Sequence, residues 1–181
     1  SKILKIHDLL SENIPKLLGN HQWKKSMKWG EFDLDWGRPL KSILSVFDKK
    51  VINFDFHHLT SSNSTYIDKD FEEKKKFFTD FKSYEKYFKK QGTLVDQNKR
   101  GEQIKREFSK ILNKKKLTIK DNTRLFHEVT NLVDNPNILL CSFDKRFLSI
   151  PKEILILTMQ SHQKYFPTFD VKDEITNEFL V

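Results

Sequence analysis

The sequence lacks several features on which common protein classes depend. Its one cysteine, Cys141, cannot form a disulfide within the chain or supply a cysteine-rich zinc site, and it suits a reducing compartment. Its five glycines do not cluster, so the chain has neither a Walker-type phosphate loop nor a GxGxxG fingerprint. Its apolar runs are all shorter than the roughly 18 residues of a membrane span. The sequence therefore excludes a disulfide framework and the common nucleotide-binding loops, and predicts a cytoplasmic protein.

Lysine supplies most of the positive charge. The chain has 33 Lys and Arg against 25 Asp and Glu, a formal charge of +8 and a pI near 9.4. A basic surface favours an anionic partner such as nucleic acid. However, the chain has no alanine and only five arginines, a bias that an AT-rich genome also produces. The charge therefore indicates nucleic acid less strongly than the same charge built from arginine would.

The length of 181 residues predicts one domain over residues 1–181, since domains commonly contain about 100–200 residues. Residues 1–20 form a helical lead-in, because apolar residues from 3 to 18 follow one helical face as far as Gly19-Asn20. The chain begins without Met and ends in an alternating, strand-like run. We interpret it as a piece excised from a longer protein.

Hydrophobic periodicity and turn residues divide the rest of the chain into short strands and helices. Residues 57–69 are polar and predict a loop. Strands are predicted over residues 38–47, 50–56, 93–95, 138–143, 165–169 and 178–181. Helices are predicted over residues 70–91 with an interruption near Asp80, from the N-cap Asp96 to about Asn113, and over residues 121–133 and 152–160. Strands that stand apart from helical pairs predict an α+β fold with a largely antiparallel sheet and packed helices.

Few polar residues suggest catalysis or metal binding. His7-Asp8 is a lone pair on a helix, and the side chains of His57-His58 point to opposite faces if the pair lies in a strand. His162 lies in a polar turn and is the histidine best placed for function, with turn capping as the simpler interpretation. The sequence therefore predicts no catalytic residues and no metal ligands.

A stripe of cations on the helix that opens at Asp96 is the positive feature. Lys99, Arg106, Lys110 and Lys114 recur at four- and seven-residue spacings, opposite the apolar face of Ile104 and Phe108, and Arg100 and Lys105 flank them. Such a stripe can follow a phosphate backbone and release counterions. The alternative is an ordinary solvated face, which Glu102 and Glu107 partly neutralise. The predicted contact residues are Lys99, Arg100, Arg106, Lys110 and Lys114.

Three ordered blocks in the last third of the chain form a family pattern: residues 125–136 (LFHEVTNLVDNP), 147–153 (FLSIPKE) and 158–167 (TMQSHQKYFP). They resemble the beta subunit of bacterial heterotetrameric glycyl-tRNA synthetase, and the QKYFP end of the third block is the most specific part. The resemblance covers residues 24–181. Further matching segments are Met27–Gly30, Arg38–Leu40, Asp96 with Arg100, and residues 177–181.

The resemblance implies a glycine–tRNA ligase, which joins glycine to tRNA(Gly) with ATP and Mg2+ in protein biosynthesis. In the alpha2beta2 tetramer of that family, the alpha subunit holds the catalytic core and binds ATP and Mg2+. The chain is then an N-terminal piece of the beta subunit, inactive alone and without a cofactor of its own. Its expected partners are the alpha subunit and tRNA(Gly), with no membrane and no DNA. The cation stripe is the predicted tRNA contact.

Two alternatives remain open from the sequence. One is an editing-type hydrolase module that acts on mischarged tRNA, with Glu128, Thr158, His162 and Gln163 as its polar candidates. The other is a domain that contacts only the alpha subunit. The family's Gly-His-Arg-Phe element has no counterpart here, because residues 64–68 lack His and Arg, so no role transfers to that stretch.

Overall fold

The computed structural model describes residues 5–67 and 74–181. The chain divides into two compact units, Ser1–Lys86 and Tyr87–Val181. Helices and mostly antiparallel strands in both units confirm the α+β class. The prediction that residues 1–181 form one domain stays a prediction. Among the described helices, none is long and apolar enough to cross a membrane.

The first unit combines an N-terminal helix with short strands. Its elements are α1 (Ile6–Gly19), β1 (Met27–Lys28), β2 (Asp35–Trp36), β3 (Ile43–Leu44), β4 (Val46–Phe47), β5 (Lys50–Val51), β6 (Asp55–Phe56), β7 (Leu59–Ser62), β8 (Ser64–Tyr66) and β9 (Lys75–Phe77). Strand β3 pairs with β7 in parallel, and the other pairs, β1–β2, β4–β5, β6–β7 and β8–β9, are antiparallel. The boundary between the units falls within α2 (Phe81–Lys90).

Helix α1 confirms the predicted helical lead-in. Its residues Leu10, Ile14 and Leu18 recur every four positions and pack against a buried cluster of Leu34, Ile52, Phe54 and Phe56. The helix ends at Gly19 as predicted and contains Pro15. The predicted start at residue 3 lies outside the described residues.

A hairpin turn lies at Asp48-Lys49, between the predicted strands 38–47 and 50–56. Strands β4 and β5 flank the two residues, whose φ angles are 46° and 62°. Left-handed backbone at both central positions is typical of a two-residue hairpin turn whose twist matches that of its strands. The turn therefore forms without the glycine that usually relieves its strain.

Two predictions about the segment after this hairpin are wrong. Residues 57–58 form the turn between β6 and β7, but residues 59–62 and 64–66 of the predicted loop are strands, because β7 pairs with β6 and β3, and β8 pairs with β9. Their polar side chains serve the strands: the buried Ser61 Oγ accepts from Phe54 N and donates to Ile52 O. Residues 75–77 are a strand rather than helix, and the helix begins only after Asp80, which accepts from Ser83 N. The predicted loop residues 68–69 and predicted helical residues 70–73 lie outside the described residues.

The second unit packs helices against a four-stranded antiparallel sheet. Its elements are α3 (Gln97–Lys115), β10 (Thr118–Ile119), α4 (Thr123–Leu132), β11 (Leu140–Ser142), α5 (Lys152–Leu157), β12 (Phe166–Phe169) and β13 (Ile175–Leu180). The strand order is β10-β12-β13-β11. A short 3-10 helix precedes α5, and a π-helical turn follows α5 over Thr158–His162, close to the predicted end at residue 160.

The core of the second unit joins α3 and α4 to the sheet. Ile104 and Phe108 of α3 are 0% and 4% exposed, and the Phe108 ring meets the Phe166 ring edge-on with centroids 4.9 Å apart. All four residues of β12 are buried, and Tyr165 stacks on Phe179. The QKYFP block thus contributes side chains to the core of the second unit.

The predicted strand over residues 93–95 is wrong. Leu94 N donates to Asp134 O, and the carbonyls of Leu94 and Val95 accept from the Arg100 side chain. The backbone groups of residues 94 and 95 therefore form their hydrogen bonds with groups that are not part of a neighbouring strand. Hydrophobic periodicity does not reveal such partners.

We expect Ile104→Ala to lower the free energy of unfolding by roughly 2–5 kcal/mol, because it leaves a cavity at a fully buried position. The matched control is Leu157→Ala in α5, where the side chain is 60% exposed and the change should stay within about 0.5 kcal/mol. Urea unfolding followed by far-UV circular dichroism measures both. Equal losses in the two variants would contradict the placement of this core.

Candidate nucleic-acid interface

Helix α3 carries the predicted cation stripe, and its start is fixed by Asp96. The Asp96 carboxylate accepts from Asn98 N and Lys99 N at 2.8 and 3.2 Å, which confirms the predicted N-cap. At the other end, Lys116 adopts a left-handed conformation with φ 56°, and its N–H donates to Asn113 O. The helix is therefore two residues longer than predicted.

Arg100 holds α3 in place through three backbone carbonyls. Its Nη1 donates to Leu94 O at 2.6 Å and Val95 O at 3.0 Å, and its Nε donates to Thr130 O at 3.1 Å on α4. These contacts account for the half-buried Arg100 without any ligand. Its predicted tRNA contact stays a prediction, and the structure separates Arg100 from the other cations of the stripe.

The other four stripe residues, Lys99, Arg106, Lys110 and Lys114, are all exposed. They lie on the face of α3 opposite the buried Ile104 and Phe108, as the helical spacing predicts. A phosphate backbone could therefore approach them without any rearrangement of the core. Their contact with tRNA stays a prediction.

Glu107 partly neutralises the middle of the stripe. Its carboxylate accepts from Lys110 Nζ at 2.9 Å and lies 3.7 Å from Arg106 Nε. The hydrogen bond from Lys110, with the nearby charges, lowers the pKa of Glu107 below its usual value. The carboxylate therefore stays ionised at neutral pH, and these three residues together carry one net positive charge.

Further lysines follow the predicted contact residues at and beyond the C-terminal end of α3. Lys115 pairs with Glu178 at 3.1 Å, and Lys120 pairs with Asp173 at 2.8 Å. Lys116 is exposed. The signal was the run Lys114-Lys115-Lys116, but cations at a helix C-terminus also offset its negative dipole end. Because Lys115 and Lys120 are each paired with one carboxylate, they stabilise the fold and add little net charge to the surface.

Among the polar candidates for an editing site, Glu128 is held in an ion pair, whereas Thr158, His162 and Gln163 are exposed. The Glu128 carboxylate is paired with Lys164 Nζ at 2.9 Å, and Thr158 O accepts from Gln163 N in the π-helical turn that ends at His162. Within residues 5–67 and 74–181, no three His, Cys, Asp or Glu side chains are grouped so that they could hold a metal ion. The editing alternative stays a prediction.

Sequence comparison gives a consistent set of relatives. The family described as glycyl-tRNA synthetase beta subunit matches residues 2–181. The glycine–tRNA ligase beta subunit of Rickettsia akari (strain Hartford) is 37% identical over 180 residues, which cover 99% of this chain and 27% of that protein. The beta subunit of Rickettsia africae (strain ESF-5) is 37% identical over 175 residues, covering 97% of this chain and 26% of that protein. The chain thus spans about a quarter of the length of the curated relatives it matches.

We expect Arg100→Lys to lower the free energy of unfolding by roughly 1.5–3 kcal/mol, the range for hydrogen bonds of a charged group. A lysine ammonium lacks the planar fork that reaches the Leu94, Val95 and Thr130 carbonyls together. The control, Arg106→Lys, changes an exposed side chain and should stay within about 0.5 kcal/mol. Urea unfolding compares the two, and an equally small effect at Arg100 would show that its contacts do not hold the helix.

Proposed function

Because the chain belongs to the glycyl-tRNA synthetase beta subunit family, we propose that it forms part of a glycine–tRNA ligase in protein biosynthesis. In this proposal the chain is a non-catalytic module that contributes to tRNA binding and to assembly with the alpha subunit in an alpha2beta2 tetramer. The alpha subunit binds ATP and Mg2+ and joins glycine to tRNA(Gly). The enzyme acts in the cytoplasm.

The exposed cationic face of α3 carries the proposal for tRNA binding. Lys99, Arg106, Lys110 and Lys114 are exposed along almost the whole helix, while the opposite face is buried. Consecutive members lie four or seven residues apart, so they form a row that can meet several phosphates in turn.

The proposed contact is electrostatic and independent of base sequence. Lysine predominates in the row, and its ammonium is a point charge that neutralises phosphate without the bidentate geometry used to read base edges. Glu107 reduces the charge at the centre of the row through its contacts with Arg106 and Lys110. The interaction should therefore depend strongly on salt concentration.

The double variant Arg106→Ala and Lys110→Ala tests this proposal in the assembled enzyme. We expect weaker tRNA binding and a flatter plot of log affinity against log salt concentration. Each phosphate that the variant no longer neutralises should change the slope by roughly 0.7 to 0.9. Glycine activation, which needs no contact between α3 and tRNA, should be unchanged. Circular dichroism should first establish that the variant is folded.

A matched control removes two exposed lysines from other parts of the second unit, with Lys152→Ala and Lys172→Ala. It lowers the net charge by the same amount but leaves α3 intact. If the α3 variant shows the same salt dependence of tRNA binding as the unmodified enzyme, the row is a solvated face. Equal weakening in the α3 and control variants would indicate a net-charge effect without a localised contact.

The chain alone should not charge tRNA with glycine. In the proposal the catalytic core belongs to the alpha subunit. A charging assay with radiolabelled glycine, ATP, Mg2+ and tRNA measures this, with the assembled enzyme as the positive control. A parallel assay for release of a mischarged amino acid addresses the editing alternative. Charging by the isolated chain would overturn the assignment of the chemistry to another subunit.

A further inference from the structure

The first unit contains an open cleft of about 450 Å3 whose described lining is mainly aromatic and apolar. This volume falls within the range of roughly 300–1,000 Å3 that is typical of small-molecule sites. The cleft lies wholly within the first unit and is separate from the cationic face of α3. Its aromatic lining consists of Trp29, Phe32, Trp36, His58 and Tyr66.

The aromatic rings of the cleft are held in fixed positions. Trp29 Nε1 donates to Trp36 O at 3.0 Å, which ties the residue after β1 to the neighbouring strand β2. The Phe32 and His58 rings are stacked, with centroids 3.7 Å apart and planes 5° from parallel. Phe32 is nevertheless 49% exposed. A flat ring pair that is already assembled and still open to solvent can accept a further planar ring at low entropic cost.

Cations border these rings. Lys41 lines the cleft, and Lys75 Nζ lies 4.7 Å from the centroid of the Tyr66 ring. Among the described residues that line the cleft, none is acidic. An aromatic platform beside positive charge is how proteins commonly hold single-stranded nucleic acid, since the bases stack and the phosphates meet cations.

We propose that this aromatic cleft binds an unpaired nucleobase of an RNA strand, by stacking against Phe32 and His58 while Lys41 faces the backbone phosphate. The inference extends the proposed function, because it gives the first unit a contact with unpaired nucleotides that differs in kind from the phosphate contact of α3. An apolar peptide would use the rings equally well but would gain nothing from the lysines. The lysines therefore favour RNA.

The test uses the 181-residue chain and a fluorescein-labelled RNA hexanucleotide of mixed sequence, with binding followed by anisotropy. A second labelled strand of equal length and charge carries abasic sites in place of its bases. Base stacking commonly contributes 1–3 kcal/mol, so we expect the normal hexanucleotide to bind about 5- to 100-fold more tightly than the abasic strand. Equal affinities would overturn the proposal.

Variants of the stacked pair test whether the preference for strands that carry bases arises in the cleft. Phe32→Ala and His58→Ala each remove one ring of the stacked pair, and both residues are exposed, so the fold should tolerate the changes. Each should reduce the discrimination between the normal and abasic strands at least about fivefold. The matched control is Phe77→Ala, which removes a 68% exposed ring of the same unit outside the described cleft lining and should leave the discrimination unchanged. Equal loss in the control would overturn the proposal.

Competition experiments distinguish whether the ring bound in the cleft belongs to an RNA strand, a free nucleotide or a peptide. Adenosine monophosphate at the concentration of the hexanucleotide should displace little of it; full displacement would identify a site for free nucleotides and overturn the RNA assignment. A proline-rich peptide that displaces the hexanucleotide at equal concentration would likewise replace RNA by a peptide ligand.

The proposal for the cleft and the proposal for α3 can be overturned independently of each other. If the α3 double variant weakens tRNA binding while the normal and abasic hexanucleotides bind equally, the cleft proposal is overturned and the proposed function stands. If the α3 double variant binds tRNA normally while Phe32→Ala abolishes the preference for bases, the cleft proposal stands and the α3 proposal fails.

Discussion

The guanidinium of Arg100 joins three parts of the second unit that are separate in sequence. It donates from α3 to the carbonyls of Leu94 and Val95 before the helix and of Thr130 on α4. Each of these carbonyls would otherwise need another partner, since buried or half-buried backbone polar groups are costly to leave unpaired. The rotation of α3 about its own axis is therefore set by hydrogen bonds at one end and by burial of Ile104 and Phe108 further along.

A helix fixed in this way divides its cations between two tasks. Arg100 points inward and stabilises the fold, while the exposed members of the stripe remain on long side chains that can adjust to a ligand. Glu107 keeps two of them, Arg106 and Lys110, close to the helix surface. Charge on this face is thus carried by exposed side chains on a helix whose backbone is held in place by the core.

The parts of the fold that depend on local signals were predictable. Asp96 before a run of helical periodicity correctly predicted the start of α3. The helical spacing correctly placed four of the five predicted contact residues opposite the buried face, and the exception is Arg100, which points inward. Strands β7 and β8 were missed because their Ser and Thr side chains resemble a loop; Ser61 is satisfied by Ile52 and Phe54, which only the folded chain brings near. The role of Arg100 and the aromatic cleft were missed for the same reason, since both arise from contacts between distant segments.

The uneven distribution of tryptophan has a consequence for spectroscopy. All three tryptophans, Trp23, Trp29 and Trp36, belong to the first unit, whereas α3 and α4 belong to the second. Indole emission therefore reports on one half of the chain, and helical ellipticity draws largely on the other. Unfolding curves from different probes coincide only when unfolding is an all-or-none transition. Tryptophan emission and helical ellipticity recorded on one sample therefore reveal whether the two units unfold together.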